Sequence, residues 1–258
     1  MKCKEIVDLL EKYSPKMYAQ EWDNVSLLVG SENKDVNSIL VTLDVDNAAI
    51  EYAIENNIDM IVSHHPVIFS SMKSVTDDDY NGKRIYELLK HDIAVYSMHT
   101  NYDLTHMADL AAKKLSMKNA NAFEIMCEIN NEKAGIGKIA VCKKMSLRQW
   151  ANKVKEAFLL DVVKVYGDLD KTIETVVVYP GSGKDAVNLA IMKKADLIIT
   201  GDIAHHTAID AMDQGLAIID ATHYAVECIF IENVAQYLKS VVQCNIIQQE
   251  IKNPVKFI

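Results

Sequence analysis

The chain has 258 residues, half of them hydrophobic and 24% charged, with a formal net charge of −9. That balance is ordinary for a globular protein with room for one large α/β domain or two small ones, and it excludes a lysine- and arginine-rich nucleic-acid groove. Five scattered cysteines without a C-x-x-C pair exclude a zinc finger, while charges throughout the first thirty residues and no run near the roughly 18 apolar residues of a membrane span make a cytoplasmic protein the expectation. An acidic chain can still take an anionic nucleotide when bound cations supply local positive charge.

In chain order, residues 2–13 carry Ile6, Leu9, Leu10 and Tyr13 on one helical stripe, stopped by Ser14-Pro15. The stretch Glu21-Trp22-Asp23-Asn24 through Gly30 is polar first and apolar last, a loop entering a strand. Ile39 to Leu43, a helix from Asn47 to about Asn56 and the run Ile58 to His64 form a βαβ unit. That last run ends in His64-His65-Pro66, where open α/β sheets build their sites. On extended backbone the two imidazoles point to opposite sides, so the pair can serve two metal ions; a capping or surface pair is the plain alternative.

Residues 70–79 form a polar loop, residues 80–90 a helix, and Ile93 to Met98 a strand ending in His99-Thr100-Asn101-Tyr102-Asp103. A helix over 104–115 follows, with Asp103 or Thr105 at its amino end. Asp103 is either that helix's cap or a metal ligand. His99 reads as an outer hydrogen-bond donor or a general acid–base ahead of a direct ligand. The pattern weakens over 117–133, which is the expected boundary between lobes.

Beyond it, Ile136 to Cys142, Val162 to Tyr166 and Ile173 to Tyr179 read as strands, and Ser146 caps a helix to Phe158. Gly181-Ser182-Gly183 reads as a tight turn or as an anion nest for a phosphate. A helix over 184–194, a strand over 197–200 and Gly201-Asp202-Ile203-Ala204-His205-His206 then echo the earlier strand and His pair, as two related halves would. His205 and His206 either line the same cleft or simply begin a helix. After the inner strand 216–219, His223 and Glu227 stand four apart at the start of a long helix, on one face. That spacing suits one shared ion, a carboxylate bridging two, or a plain surface hydrogen bond. Residues 245–251 return to an existing sheet. The expected class is α/β, with two lobes of mainly parallel inner strands and helices on their faces. The first lobe takes 1–125, completed by about 225–258, and the second 126–224.

Five motifs in this order, Glu21-Trp22-Asp23-Asn24, Ser63-His64-His65-Pro66, His99 to Asp103, Gly201 to His206 and His223 to Glu227, resemble the GTP cyclohydrolase 1 type 2 family, also called the Nif-three-like proteins. The resemblance spans nearly the whole chain. It implies a dinuclear metal centre in a cleft between the lobes and a homohexamer. Its metal ligands would be His64, His65, Asp103, His223 and Glu227, with Glu227 bridging, and the ions zinc, iron or manganese. His99 and His205 would move protons, and the Gly181, Ser182 and Gly183 turn would meet a triphosphate. The implied activity is a hydrolase that opens the guanine imidazole of GTP with release of formate. The alternatives are hydrolysis of another nucleotide or phosphoester, and a non-enzymatic metal-binding scaffold. Family members often have Gly where this chain has Ser26 and Thr222, and Glu where it has Asp202. The chain's length implies that the inserted middle domain of longer members is missing.

Overall fold

Apolar runs that stop abruptly at polar residues become strands buried on both faces, and amphipathic runs become the helices that cover them. The computed structural model describes residues 1–256. Along the chain come α1 (Cys3–Tyr13), β1 (Ser26–Val29), β2 (Ser38–Thr42), α2 (Asn47–Glu55), β3 (Met60–Ser63), α3 (Tyr80–Lys90), β4 (Ala94–Ser97) and the short α4 (Thr100–Tyr102). A π-helical turn, Asp103–Met107, leads into α5 (Ala108–Lys114). Then follow β5 (Asn121–Ile129), β6 (Glu132–Ser146), α6 (Leu147–Phe158), β7 (Lys164–Tyr166), β8 (Thr172–Ser182), α7 (Ala186–Met192), β9 (Leu197–Gly201), α8 (His205–Asp213) and β10 (Ala217–Asp220). The last elements are α9 (His223–Glu227), α10 (Ile229–Val241) and β11 (Asn245–Gln248).

The chain divides into two compact units, Met1–Tyr102 with Phe230–Ile251, and Asp103–Ile229 with the residues from Lys252 onward. The first is built on a five-stranded sheet in the order β1-β4-β3-β2-β11. All its pairings are parallel except β1 with β4. The expected return of the 245–251 segment is met, because β11 pairs with β2, Ile246 opposite Ile39. Leu40, Ile61 and Val95 from the strands pack with Ala49, Ile50 and Ala53 of α2 and Ile85 and Leu88 of α3. Asp46 starts α2 by accepting from the Ala49 N–H at 2.8 Å. Residues 257 and 258, the end of the segment expected to complete the first lobe, lie outside the described residues.

The second unit holds a six-stranded sheet in the order β5-β6-β8-β9-β10-β7. Its inner strands β8, β9 and β10 are parallel, while β6 and β7 flank them antiparallel. Val177, Ile198 and Ile218 of those strands pack with Ala186, Val187 and Ala190 of α7 and Ala208 and Ala211 of α8. The expected cap of α6 is present as a reciprocal box between Ser146 and Gln149.

The stretch expected to be a boundary, 117–133, instead contains β5, joined to β6 by a tight turn. Among the residues of β5 only Phe123 is buried, so the alternation that marks a strand is too faint to read. The turn itself is Asn130-Asn131, both with positive φ, the conformation that a two-residue hairpin demands.

The two units repeat one connectivity. In the first it runs helix α1, edge strand β1, then β2-α2-β3-α3-β4 with β1 antiparallel against β4. In the second it runs α6, β7, then β8-α7-β9-α8-β10 with β7 antiparallel against β10.

Candidate metal centre

In the first unit the ligand-type side chains follow the carboxyl ends of β3 and β4. The regular strand stops at Ser63, but the backbone stays pinned beyond it. His65 N–H donates to Leu43 O at 2.9 Å, Met98 N–H to Ser63 O at 3.0 Å, and the Ser63 and Ser97 hydroxyls meet at 2.8 Å. Because the chain bends there, His64 and His65 do not diverge as extended backbone would require; their ring centroids are 4.9 Å apart. His99 closes a triangle, 5.2 Å from His64 and 5.6 Å from His65. One nitrogen from each ring lies within 4.8 Å of the other two, close enough to grip one ion after small adjustments.

What orients these rings is an oxygen behind each one. His64 Nδ1 donates to the Met98 carbonyl at 2.8 Å, and a carbonyl only accepts, so Nδ1 carries a proton and Nε2 is the nitrogen turned to the other rings' side of the group. His65 Nδ1 faces Asp44 at 2.7 Å, and His99 Nδ1 faces Asp23 at 2.9 Å. Asp23 also accepts from the Thr100 N–H and hydroxyl. Burial pushes the Asp23 carboxyl up, but the hydrogen bond and charge of His99 and the two bonds from Thr100 outweigh it and hold the group down at about 2. It is an anion at any physiological pH.

In the second unit the ligand-type residues follow β9 and β10. Asp202 comes directly after β9, and its carboxylate meets His223 Nδ1 at 2.7 Å. His223 Nε2 in turn lies 2.9 Å from Glu227 Oε2, so a proton or another cation must sit between them. The helical spacing thus does bring that pair together. Glu227 is buried, and a carboxylate oxygen of Asp103 lies within 4.8 Å of one of its oxygens. Asp103 does not cap a helix: the chain is already helical from Thr100 and widens into a π turn at Asp103, a distortion frequent at functional sites.

Two glycines make room for this set. A Cβ on Gly181 would strike Glu227 Oε1, and one on Gly201 would strike the His223 backbone nitrogen. The segment 181–183 is accordingly not a turn. With φ of +78° at Gly181 the register shifts between Val178 and Ser182, and β8 runs on through Ser182. The Gly183 N–H donates to Gly201 O at 3.0 Å, which removes one donor of the expected phosphate nest.

His205 and His206 open α8 as exposed residues, their rings 5.3 Å apart, and join none of the ligand groups among the described residues. Their echo of His64-His65 is one of letters, since the residue that directly follows β9 is Asp202. Sequence reasoning also assigned no role to the carboxylates behind the imidazoles, Asp23, Asp44 and Asp202, nor to buried Asp220. Asp220 accepts from the Thr222 N–H at 3.0 Å and from Lys164 Nζ at 3.0 Å, tying down the turn before His223. The available signal was position: Asp44, Asp202 and Asp220 all sit at or just past strand ends.

Imidazole nitrogens with Nδ1 tied back, together with carboxylate oxygens, are the donor set that zinc, iron and manganese prefer, so these residues fit such an ion. Fold and side chains define a two-sheet α/β protein with metal-ligand chemistry at its strand ends. The chain belongs to the Duf34/NIF3 (NGG1p interacting factor 3) family, whose model matches residues 1–254. A Clostridium acetobutylicum protein called GTP cyclohydrolase 1 type 2 homolog is 33% identical over 232 residues, covering 88% of this chain and 85% of its own. The Clostridium perfringens protein of the same name is 31% identical over 264 residues and the whole of both chains. A solved Bacillus cereus protein related to NIF3 superposes with a TM-score of 0.92 at 26% identity, covering 100% of this chain and 99% of that one. No helix among the described residues is long and apolar enough to cross a membrane.

Proposed function

We propose that the protein is a metal-dependent hydrolase in which His64, His65, Asp103, His223 and Glu227 would hold two divalent ions, zinc, iron or manganese. The observation that carries this reading is that the three imidazoles proposed as ligands, in two separate units, each have Nδ1 tied to an oxygen, at 2.7 to 2.8 Å. Surface histidines have no need of such support, whereas ligating ones do. Divalent ions held there would supply the Lewis acidity that hydrolysis near neutral pH needs.

The chain's own residues do the rest. His99 is supported by the Asp23 carboxylate, so it can take a proton at Nε2 and pass it on while its ring stays in place. His205, exposed at the start of α8, is the second proton carrier in this reading. The substrate class comes from the relatives' name: a GTP-like nucleotide whose imidazole ring is opened by water with loss of formate. A homohexamer is the assembly this reading expects.

Elemental analysis of the purified chain, with formate release from GTP, tests the proposal. His64→Ala and Glu227→Ala should each lose metal and activity together while remaining folded by circular dichroism. Unchanged metal content in both variants would overturn the ligand assignment.

A further inference from the structure

The Trp of the Glu21-Trp22-Asp23-Asn24 motif plays no part in the ligand set, yet it stands beside it. Trp22 is 58% exposed and Phe69 is 60% exposed, high values for large aromatic side chains. Their ring centroids are 5.9 Å apart and tilted by 52°. Both rings lean on His99, Trp22 at 5.9 Å and Phe69 at 6.3 Å, each steeply inclined to the imidazole. Three rings that meet at steep angles make a corner and leave aromatic faces uncovered.

The corner is held from behind. Trp22 Nε1 donates to Gln20 at 3.1 Å, and Gln20 N–H donates to the Thr100 hydroxyl at 2.9 Å. Asn24 Nδ2 donates to the Ile68 carbonyl at 2.6 Å, so the loop bearing Trp22 fixes the residue next to Phe69. Asp23, between Trp22 and Asn24, binds His99 and Thr100. An exposed apolar pair with this much polar anchoring is set in place before anything binds, which lowers the ordering cost of binding.

We propose that Trp22 and Phe69 form a stacking corner for a planar heteroaromatic ring, one aromatic face against the ring and the other edge-on, which presents that ring to His99. This inference rests on the hydrolase reading and narrows it, since it assigns the substrate's ring to these two residues and leaves ring-free phosphoesters without a partner there. Stacking is tolerant of ring identity, so the corner selects for a flat π-face rather than for guanine alone.

The test is binding without turnover, on the full chain both chelator-treated and metal-loaded, by equilibrium dialysis and tryptophan fluorescence. The probes are guanosine, which has a ring and no phosphate, and ribose 5-phosphate, which has the reverse. Guanosine should bind and quench Trp22, the only exposed one of the two tryptophans, while ribose 5-phosphate should not quench. Trp22→Ala should weaken guanosine binding by about ten- to a hundred-fold. Trp22→Phe should restore most of it, Phe69→Ala should weaken it less, and metal content should stay at the wild-type level in all three. Equal guanosine affinity in Trp22→Ala and wild type overturns the corner, and so does a wild type that binds no guanosine. A Trp22→Ala chain that changes its mass in sedimentation while keeping its guanosine affinity assigns the corner to a second copy instead. Ring binding without formate release sinks the hydrolase reading and leaves the corner standing; hydrolysis of a ring-free phosphoester without ring binding does the opposite.

Discussion

The two units lay the same sequence of helices and strands around a three-stranded parallel core, yet they furnish its carboxyl end differently. After β3 and β4 the first unit offers three imidazoles on backbone that continues the sheet's hydrogen bonding. After β9 and β10 the second offers one imidazole and one carboxylate on a helix start, and a second carboxylate, Asp103, comes from the π turn ahead of β5. The device behind the rings is shared: an oxygen holds Nδ1 in every case. What differs is how the backbone reaches the right place. The first unit bends within its ladder and tolerates ordinary side chains there. The second needs glycine at Gly181 and Gly201, and it holds Asp202 and Thr222 at φ of +58° and +68°, where non-glycine residues are uncommon. A repeated fold thus sets the first unit's imidazoles on ordinary backbone, and sets His223 and the buried Glu227 only with glycine and left-handed backbone beside them.

The sharpest way to break that contrast is Gly201→Ala. The new methyl would lie 2.7 Å from the His223 Cα and 2.7 Å from the Thr222 carbonyl carbon, and neither backbone atom can rotate away. Over-packing of this kind costs about 3 kcal/mol, and it should displace His223 enough to lower metal content as well. Urea unfolding of the variant beside wild type reads the first effect and elemental analysis the second. A wild-type midpoint would mean that the helix start does not approach β9 as closely as described.

Acid should single out the first unit's support. A carboxyl held below its unfolded value stabilises the fold at pH above that value, and the contribution fades as pH falls through the lower folded one. For Asp23 the window runs from 3.8 down to about 2. After allowance for solvent screening the contribution is about 1 to 2 kcal/mol. Wild type should therefore lose stability across that interval, and Asp23→Asn should start lower at pH 5 and show a flatter decline. Parallel slopes in the two proteins would remove the ionic role assigned to the Asp23 and His99 pair.

Much of this was legible in the sequence, and what was not has specific causes. His64, His65 and His99 could be read because parallel inner strands are continuous apolar runs, so the first polar residue after them marks the site end. Helical spacing placed His223 and Glu227 on one face, while a ligand role for them came only from the family resemblance. The approach of the His64 and His65 rings could not, because alternation holds only while a strand lasts and β3 ends one residue earlier. Asp103 looked like a cap because an aspartate before a helix usually is one, and nothing in local sequence announces a π turn. Gly181 and Gly183 suggested a phosphate turn, whereas the space they leave is filled by Glu227 and Thr200, residues distant in sequence.

The smallest expected effects separate strain that does something from strain that does nothing. Ser26 sits at φ of +92° and Thr222 at φ of +68° with ψ of 145°, the two positions where the family resemblance puts glycine. Each conformation costs a non-glycine residue on the order of 1 to 3 kcal/mol, partly offset in a glycine variant by the freer unfolded chain. Ser26→Gly should therefore stabilise the protein by about 1 kcal/mol in urea unfolding. Thr222→Gly should gain almost nothing, because the Thr222 hydroxyl accepts from the Ala225 N–H at 3.4 Å and from Asn253 at 3.1 Å; a glycine cap costs a few tenths of a kcal/mol and the lost Asn253 bond about 1 kcal/mol more. Equal gains at both positions would show that the Thr222 cap contributes little, and the strained start of α9 would then owe its conformation to the Gly201 approach alone.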